Sequence, residues 1–165
     1  MDAPVVAGWS DFLVAAAGTA GALAGLLFVA ISINLTRIIE IPGVSGRAAE
    51  SIILLSATVS EALACLIPKL SGTQLGLALV TISVPAWTAP VVIQFKSVRA
   101  RTYIRPSHAV IRGVLHQLAT LPAVLAAFSL CGLLQGGMLW LGAGVVISML
   151  VAICNAWILL IEILR

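Results

Sequence analysis

The sequence predicts an all-α integral membrane protein, a single domain over 1–165 built as a bundle of five transmembrane helices. Hydrophobic residues make up 61% of the chain and charged residues only 9%, whereas about a quarter of an average soluble domain is charged. The apolar residues form five stretches of about 20 residues, the length that crosses a hydrocarbon core of about 30 Å. Lysine and arginine gather in alternate gaps between these stretches. A soluble fold and a disordered chain are both excluded.

The first span, 12–37, carries a face of small residues. Gly18, Gly21 and Gly25 share one side of the helix, and the last two stand in G-x-x-x-G register. Such a face lets the backbone of a neighbouring helix approach closely. The opposite side holds residues that we expect to face lipid, Leu23, Leu26 and Leu27. We therefore expect the rest of the chain to be arranged around this helix.

Four more spans follow, separated by short polar segments. Their predicted bounds are 49–67, 75–95, 113–134 and 138–164. Two prolines interrupt the third span and one the fourth, and each removes a backbone N–H and permits a kink. Small-residue faces recur at i, i+4 spacing, in the fourth span at Ala119, Ala123 and Ala127 and in the fifth at Gly144 and Ser148. These faces predict a tightly packed bundle.

The positive-inside rule orients the bundle with its N-terminus outside and its C-terminus in the cytoplasm. Eight of the nine lysines and arginines then lie on the inner side, and Lys69 alone lies outside. A four-span arrangement is the alternative. The inner cations that we expect to contact anionic phospholipids or a partner are Lys96, Arg99, Arg101, Arg105 and Arg112. Each can contribute about 1 kcal/mol near an anionic surface, although orientation alone would also explain them.

Glu61 is the most informative single residue, because it lies about 10 Å below the outer end of the second span at 1.5 Å per residue. A charge at such depth costs about 3 kcal/mol on insertion scales, so we expect Glu61 to face the interior with Ser60 beside it. It is either a proton or cation site or a neutral, hydrogen-bonded carboxylic acid.

Asn34 and Asn155 lie in the inner half of the membrane. They can bond to each other across the first and fifth spans, coordinate a substrate, or serve only in interhelical hydrogen bonds and interfacial solvation.

No catalytic residue, cofactor or metal is expected. The cysteines, Cys65, Cys131 and Cys154, lack the C-x-x-C and histidine spacings of metal sites. His108 and His116 have no nucleophile or carboxylate pattern beside them in the sequence. Nucleic acid is not expected as a partner, because the cations flank apolar spans instead of forming a basic tract among aromatics.

The runs GALAGLLFVAISINLTRI and GRAAE, together with the ending NAWILLIEILR, resemble small bacterial inner-membrane proteins. Some of these are labelled modulators of the membrane protease FtsH. The resemblance implies a location in the bacterial inner membrane and carries no catalytic motif.

Three functions are compatible with these observations. The first is a non-enzymatic bundle that associates with itself, or with a larger membrane complex, through its small-residue faces. The second is a small channel or carrier that moves ions or protons past Glu61 and the two asparagines. A membrane enzyme comes third, because no nucleophile, metal or cofactor pattern supports it.

Overall fold

The computed structural model describes residues 6–99 and 106–164, and every regular element in these ranges is an α-helix. The helices are α1 (Ser10–Ile33), α2 (Leu35–Glu40), α3 (Val44–Leu66), α4 (Gly72–Arg99), α5 (Pro106–Leu130) and α6 (Met138–Leu164). Five of them, all except α2, are long and apolar enough to cross a membrane. The prediction of an all-helical bundle with five such helices is confirmed.

The first predicted span is too long, because the helix ends at Ile33 rather than at residue 37. The side-chain amide of Asn34 donates to the carbonyl of Ala30 at 2.9 Å, and its backbone N–H donates to the carbonyls of Ala30 and Ile31. After the short α2 the chain turns at Gly43, whose φ of 86° is a left-handed conformation that glycine adopts without strain. Helix α3 follows directly.

The basic segment 96–112, which lies between the third and fourth predicted spans, is helical over 96–99 and 106–112. Helix α4 continues to Arg99 and α5 begins at Pro106, so only residues 100–105 separate the two elements. Proline suits the first position of a helix, because the N–H that it lacks would have no partner there. The predicted fourth span, 113–134, therefore begins too late, and it also ends four residues beyond Leu130.

Four helices form a closed ring, in which α3 packs on α4, α4 on α5, α5 on α6, and α6 on α3. Helix α1 lies outside this ring and packs mainly against α3. In α3, 56% of the most apolar window is buried, against 22% in α1. The chain is therefore arranged around α3, and the expectation that α1 would be the central helix is wrong.

The side of α1 that faces the bundle lies opposite the glycines and carries two leucines and two alanines, Leu13, Ala16, Ala20 and Leu27. Leu13 and Leu27 are buried, Leu27 with only 6% of its surface exposed, whereas Leu26 is 70% exposed. The expectation that Leu27 faces lipid is wrong, because Leu27 lies on the side of α1 that packs against the bundle. The glycine side of α1 lies outward: a Cβ atom added at Gly18 or Gly25 would meet no atom within 4 Å.

The small residues of α5 and α6 pack against each other. The hydroxyl of Ser148 donates to the carbonyl of Ala119 at 2.9 Å. A Cβ atom added at Gly144 would lie 3.1 Å from the backbone nitrogen of Ala123. These contacts place the small residues of α5 and α6 at a close approach of the two helices. The sequence analysis missed a third close contact, at Gly76 of α4, where an added Cβ would lie 2.8 Å from the backbone nitrogen of Cys131.

Candidate functional site

A buried ion pair joins α3 to α5 near the end of the bundle where both helices begin, which we call the basic end. The Nε atom of Arg112 donates to Oε2 of Glu50 at 2.7 Å. Glu50 is 1% and Arg112 6% exposed. Each charge would be costly alone in an apolar interior, and pairing offsets part of that cost. The expectation that Arg112 contacts phospholipids or a partner is therefore wrong, because its partner is Glu50 inside the bundle.

His116 lies one turn further along α5 and joins it to α4. It is 3% exposed, and its Nε2 atom lies 3.1 Å from the carbonyl oxygen of Trp87. A carbonyl oxygen can only accept, so Nε2 is the nitrogen that carries the hydrogen. The neighbouring Gln117 accepts a hydrogen bond from the indole N–H of Trp87 at 2.7 Å. Trp87 of α4 is therefore hydrogen-bonded to two successive residues of α5, His116 and Gln117.

Three polar atoms in this region are buried without a hydrogen-bond partner among the described residues: Oε1 of Glu50, Nδ1 of His116 and Nε2 of Gln94. Gln94 reaches the same part of α5, since its side-chain oxygen would lie 3.6 Å from a Cβ atom added at Gly113. We call Glu50, Gln94, Arg112 and His116 the polar cluster. With Nε2 of His116 protonated, Oε1 of Glu50 and Nδ1 of His116 are two unused acceptors within the polar cluster.

The sequence analysis did not predict the polar cluster, although a signal for it exists. Arg112 and His116 are four residues apart, so they share one face of α5. Glu50 and Glu61 are eleven residues apart and share one face of α3, because eleven residues make about three turns. The sequence could therefore have predicted an ion pair between Glu50, near the start of α3, and Arg112, near the start of α5.

Glu61 lies nearer the opposite end of α3 and is only 4% exposed. Its Oε1 atom accepts a hydrogen bond from the hydroxyl of Ser83 in α4 at 3.1 Å. Ser60, which was expected beside it, is exposed and donates to the carbonyl of Ser56 in its own helix at 2.8 Å. Ser60 is therefore not a partner of Glu61, because it stands on the outer side of α3.

The two asparagines are not joined. Asn34 bonds within its own helix, Asn155 is buried in α6, and none of the hydrogen bonds described for residues 6–99 and 106–164 links them. Asn34 instead lines a groove of about 260 Å³ between α1 and α6, whose walls are otherwise apolar. The structure therefore offers no paired-amide site.

The remaining predicted cations lie near the junction of α4 and α5. Lys96 and Arg99 are exposed in the last turns of α4, so contact with lipid head groups stays a prediction for them. Arg101 and Arg105 lie outside the described residues.

No protein-family model, curated protein or solved structure matches this chain. The resemblance to FtsH-associated proteins therefore stays a prediction from the sequence. In the described part of the chain, no group of three His, Cys, Asp or Glu side chains is placed to hold a metal ion. The site that the structure itself offers is thus a polar interior on α3, with one carboxylate paired to an arginine and one bonded to a serine.

Proposed function

We propose that this chain is a non-enzymatic, multi-pass membrane protein that associates with copies of itself, or serves as a subunit of a larger membrane complex, through the outward face of α1. The observation that carries the proposal is the openness of this face. We call its residues the glycine face: Gly18, Gly21, Ala22, Gly25 and Val29. Only Gly21 has a neighbour within contact distance of an added Cβ atom, a methyl group of Val59 at 3.9 Å.

The other small-residue faces support this proposal by contrast. Those of α5 and α6 are already used inside the ring, where Ser148 bonds to Ala119 and Gly144 meets Ala123. In a bilayer, helix association depends on close packing and interhelical hydrogen bonds, because lipid tails are as apolar as leucine. A flat glycine surface is also self-complementary, so two copies can pair through it about a two-fold axis.

The same proposal includes location and orientation. We infer a bacterial inner (plasma) membrane with the N-terminus outside and the C-terminus in the cytoplasm. Lys96 and Arg99 at the end of α4, and Lys69 between α3 and α4, support this orientation by the positive-inside rule. Anionic phospholipids at the cytoplasmic surface are the lipid partners that these exposed cations would contact. Reporter fusions at Gly43 and at Lys69 should report cytoplasm and exterior respectively.

The association is tested by Gly25→Leu in purified protein reconstituted in bilayer nanodiscs or native membranes. The added side chain points away from the bundle, so thermal unfolding should be unchanged while the oligomer dissociates. The matched control is Thr19→Leu, also exposed but about 120° from Gly25 around the helix axis, which should leave the oligomer intact. Subunit counting by single-molecule photobleaching measures both variants. A wild type that is only monomeric, or a Gly25→Leu protein with the wild-type subunit count, would overturn the proposal.

A second candidate function is a channel or carrier for ions or protons. It is favoured by the burial of Glu61, whose carboxylate has a serine partner on α4 but no salt bridge among the described residues, since intramembrane carboxylates often mark ion or proton paths. Flux into liposomes distinguishes the two candidates. A proton or cation flux that Glu61→Gln abolishes, in a protein that still folds and assembles, would establish transport; flux equal to that of empty liposomes would exclude it.

A further inference from the structure

The polar cluster contains two buried hydrogen-bond acceptors, Oε1 of Glu50 and Nδ1 of His116, that receive no hydrogen bond. Oε2 of Glu50 receives the Nε–H of Arg112, while Oε1 receives no hydrogen bond. Nε2 of His116 carries its hydrogen toward Trp87, so Nδ1 presents a bare lone pair, and it too has no partner in the described ranges. A buried polar atom without a partner destabilises the fold, because it has lost its hydrogen bonds to water. Both atoms are acceptors that lack a hydrogen-bond donor.

The two acceptors belong to one group of side chains. Arg112 and His116 share a face of α5, one turn apart, and Arg112 touches Glu50 directly, so the carboxyl group of Glu50 lies at the face of α5 that carries His116. Neither the association through α1 nor a carrier acting at Glu61 makes use of these atoms.

We propose that Glu50 and His116 form an intramembrane proton-binding site at the basic end of the bundle. The proton comes from a hydronium ion in water at that surface: the N–H bond forms at Nδ1, one O–H bond of hydronium breaks, and water is released. The imidazolium ring then has a donor on both nitrogens. Nε2 keeps its bond to Trp87, and the carboxylate of Glu50, one of whose oxygens Arg112 holds, offsets the positive charge of the ring.

Few other charges surround this site. Helix α3 contributes Glu50 and, one turn nearer its start on the same side, Arg47; α5 contributes Arg112. Helix α4 has no charged or histidine side chain between Gly72 and Phe95, and α6 has none between 138 and 161. Both arginines oppose an additional positive charge. Of the charged groups named here, Glu50 is the one whose charge favours the proton, in addition to the hydrogen bond from Nε2 to Trp87, so proton binding should depend on Glu50.

The sequence allows a direct test, because the chain has only two histidines. His108→Gln leaves His116 as the single imidazole, and ¹⁵N-histidine NMR of this protein in lipid bilayers then reports the two ring nitrogens separately. At neutral pH we expect a hydrogen on Nε2 and none on Nδ1, and acidification should protonate Nδ1 while the protein remains folded. An Nδ1 that is already protonated at neutral pH, or one that stays bare down to the pH of unfolding, would overturn the proposal.

The role of Glu50 is tested in the same His108→Gln protein. Glu50→Gln should lower the ratio of protonated to bare Nδ1, at a fixed acidic pH, by at least about tenfold. The reason is that two opposite charges within several ångströms attract each other by more than a tenfold ratio requires, at an effective dielectric constant of about 20. Glu61→Gln, about three turns away on α3, is the matched control and should change the ratio by less than about twofold. Equal ratios in the two variants would contradict the site. Glu50→Asp keeps the charge, so it should retain proton binding, and it replaces Glu50→Gln if that variant does not fold.

Discussion

The closed ring of α3–α6 and the outward face of α1 use the same kind of residue in opposite ways. Inside the ring, small residues bring two backbones together, as where Gly144 lies against Ala123. On α1, three glycines form an equally small surface, yet the ring is already complete without it, and two of them have open space where a side chain would be. The comparison teaches that a small-residue face permits close approach, whereas the position of the helix in the bundle decides whether a partner lies within the same chain.

The largest expected difference in stability, between a substitution inside the ring and one outside it, comes from removing a charged side chain. Arg112→Leu leaves Glu50 buried without its cation, and breaking such a pair costs about 3–5 kcal/mol. The matched control is Lys96→Leu, which removes an exposed cation from α4 and should change stability by less than about 0.5 kcal/mol. Unfolding in increasing sodium dodecyl sulfate compares the two.

The double variant Glu50→Leu/Arg112→Leu sharpens this test. It removes both charges and should recover part of the lost stability. If Arg112→Leu is as stable as Lys96→Leu, the ion pair does not support the ring.

An intermediate effect on stability is expected when a glycine inside the ring, rather than one outside it, is replaced by alanine. At Gly76 the Cβ atom of alanine would lie 2.7 Å from Sγ of Cys131 and 3.0 Å from the carbonyl oxygen of Ala127, so α4 and α5 must separate, at a cost of about 1–3 kcal/mol. At Gly18 the same atom meets nothing, and alanine should be neutral or stabilise the helix by about 0.5–1 kcal/mol. Thermal unfolding of Gly76→Ala and Gly18→Ala in matched bilayers checks the sign of each change.

The smallest effect is expected for the hydrogen bond between α5 and α6. Ser148→Ala removes a donor to Ala119 and should cost about 0.6 kcal/mol, the average for such bonds in a membrane. Ser32 is the control, because it is exposed and bonds to Phe28 in its own helix. A Ser32→Ala variant that loses more stability than Ser148→Ala would contradict the assignment of Ser148 to the ring's interior.

Much of the fold follows from sequence because hydropathy and helix length set the number of spans. The small-residue face of α6, with Gly144 and Ser148, was predictable for the same reason, since spacing alone places residues on one side of a helix. The choice of central helix was not predictable in this way. Glycines on α1 suggested burial, but the pattern carries no information about which helix closes the ring.

In the candidate site, too, some features follow from the sequence and others are seen only in the structure. The burial of Glu61 was expected from the cost of a charge in lipid, whereas its partner Ser83 lies on another helix and required the structure. Arg112 was assigned to the lipid surface because a cation near a span end usually lies there. Only the opposing position of Glu50 on α3 reveals that it faces inward.

The most direct test of the central claim is disulfide cross-linking of the glycine face in native membranes. In a protein whose three native cysteines are replaced, Ala22→Cys places a thiol at mid-helix on this face, and Leu150→Cys places one at similar depth on the lipid side of α6, where the leucine is 58% exposed. Mild oxidation should give a covalent dimer with Ala22→Cys and monomer with Leu150→Cys. Monomer at both positions, or equal dimer at both, would show that the glycine face is not where copies of this protein meet.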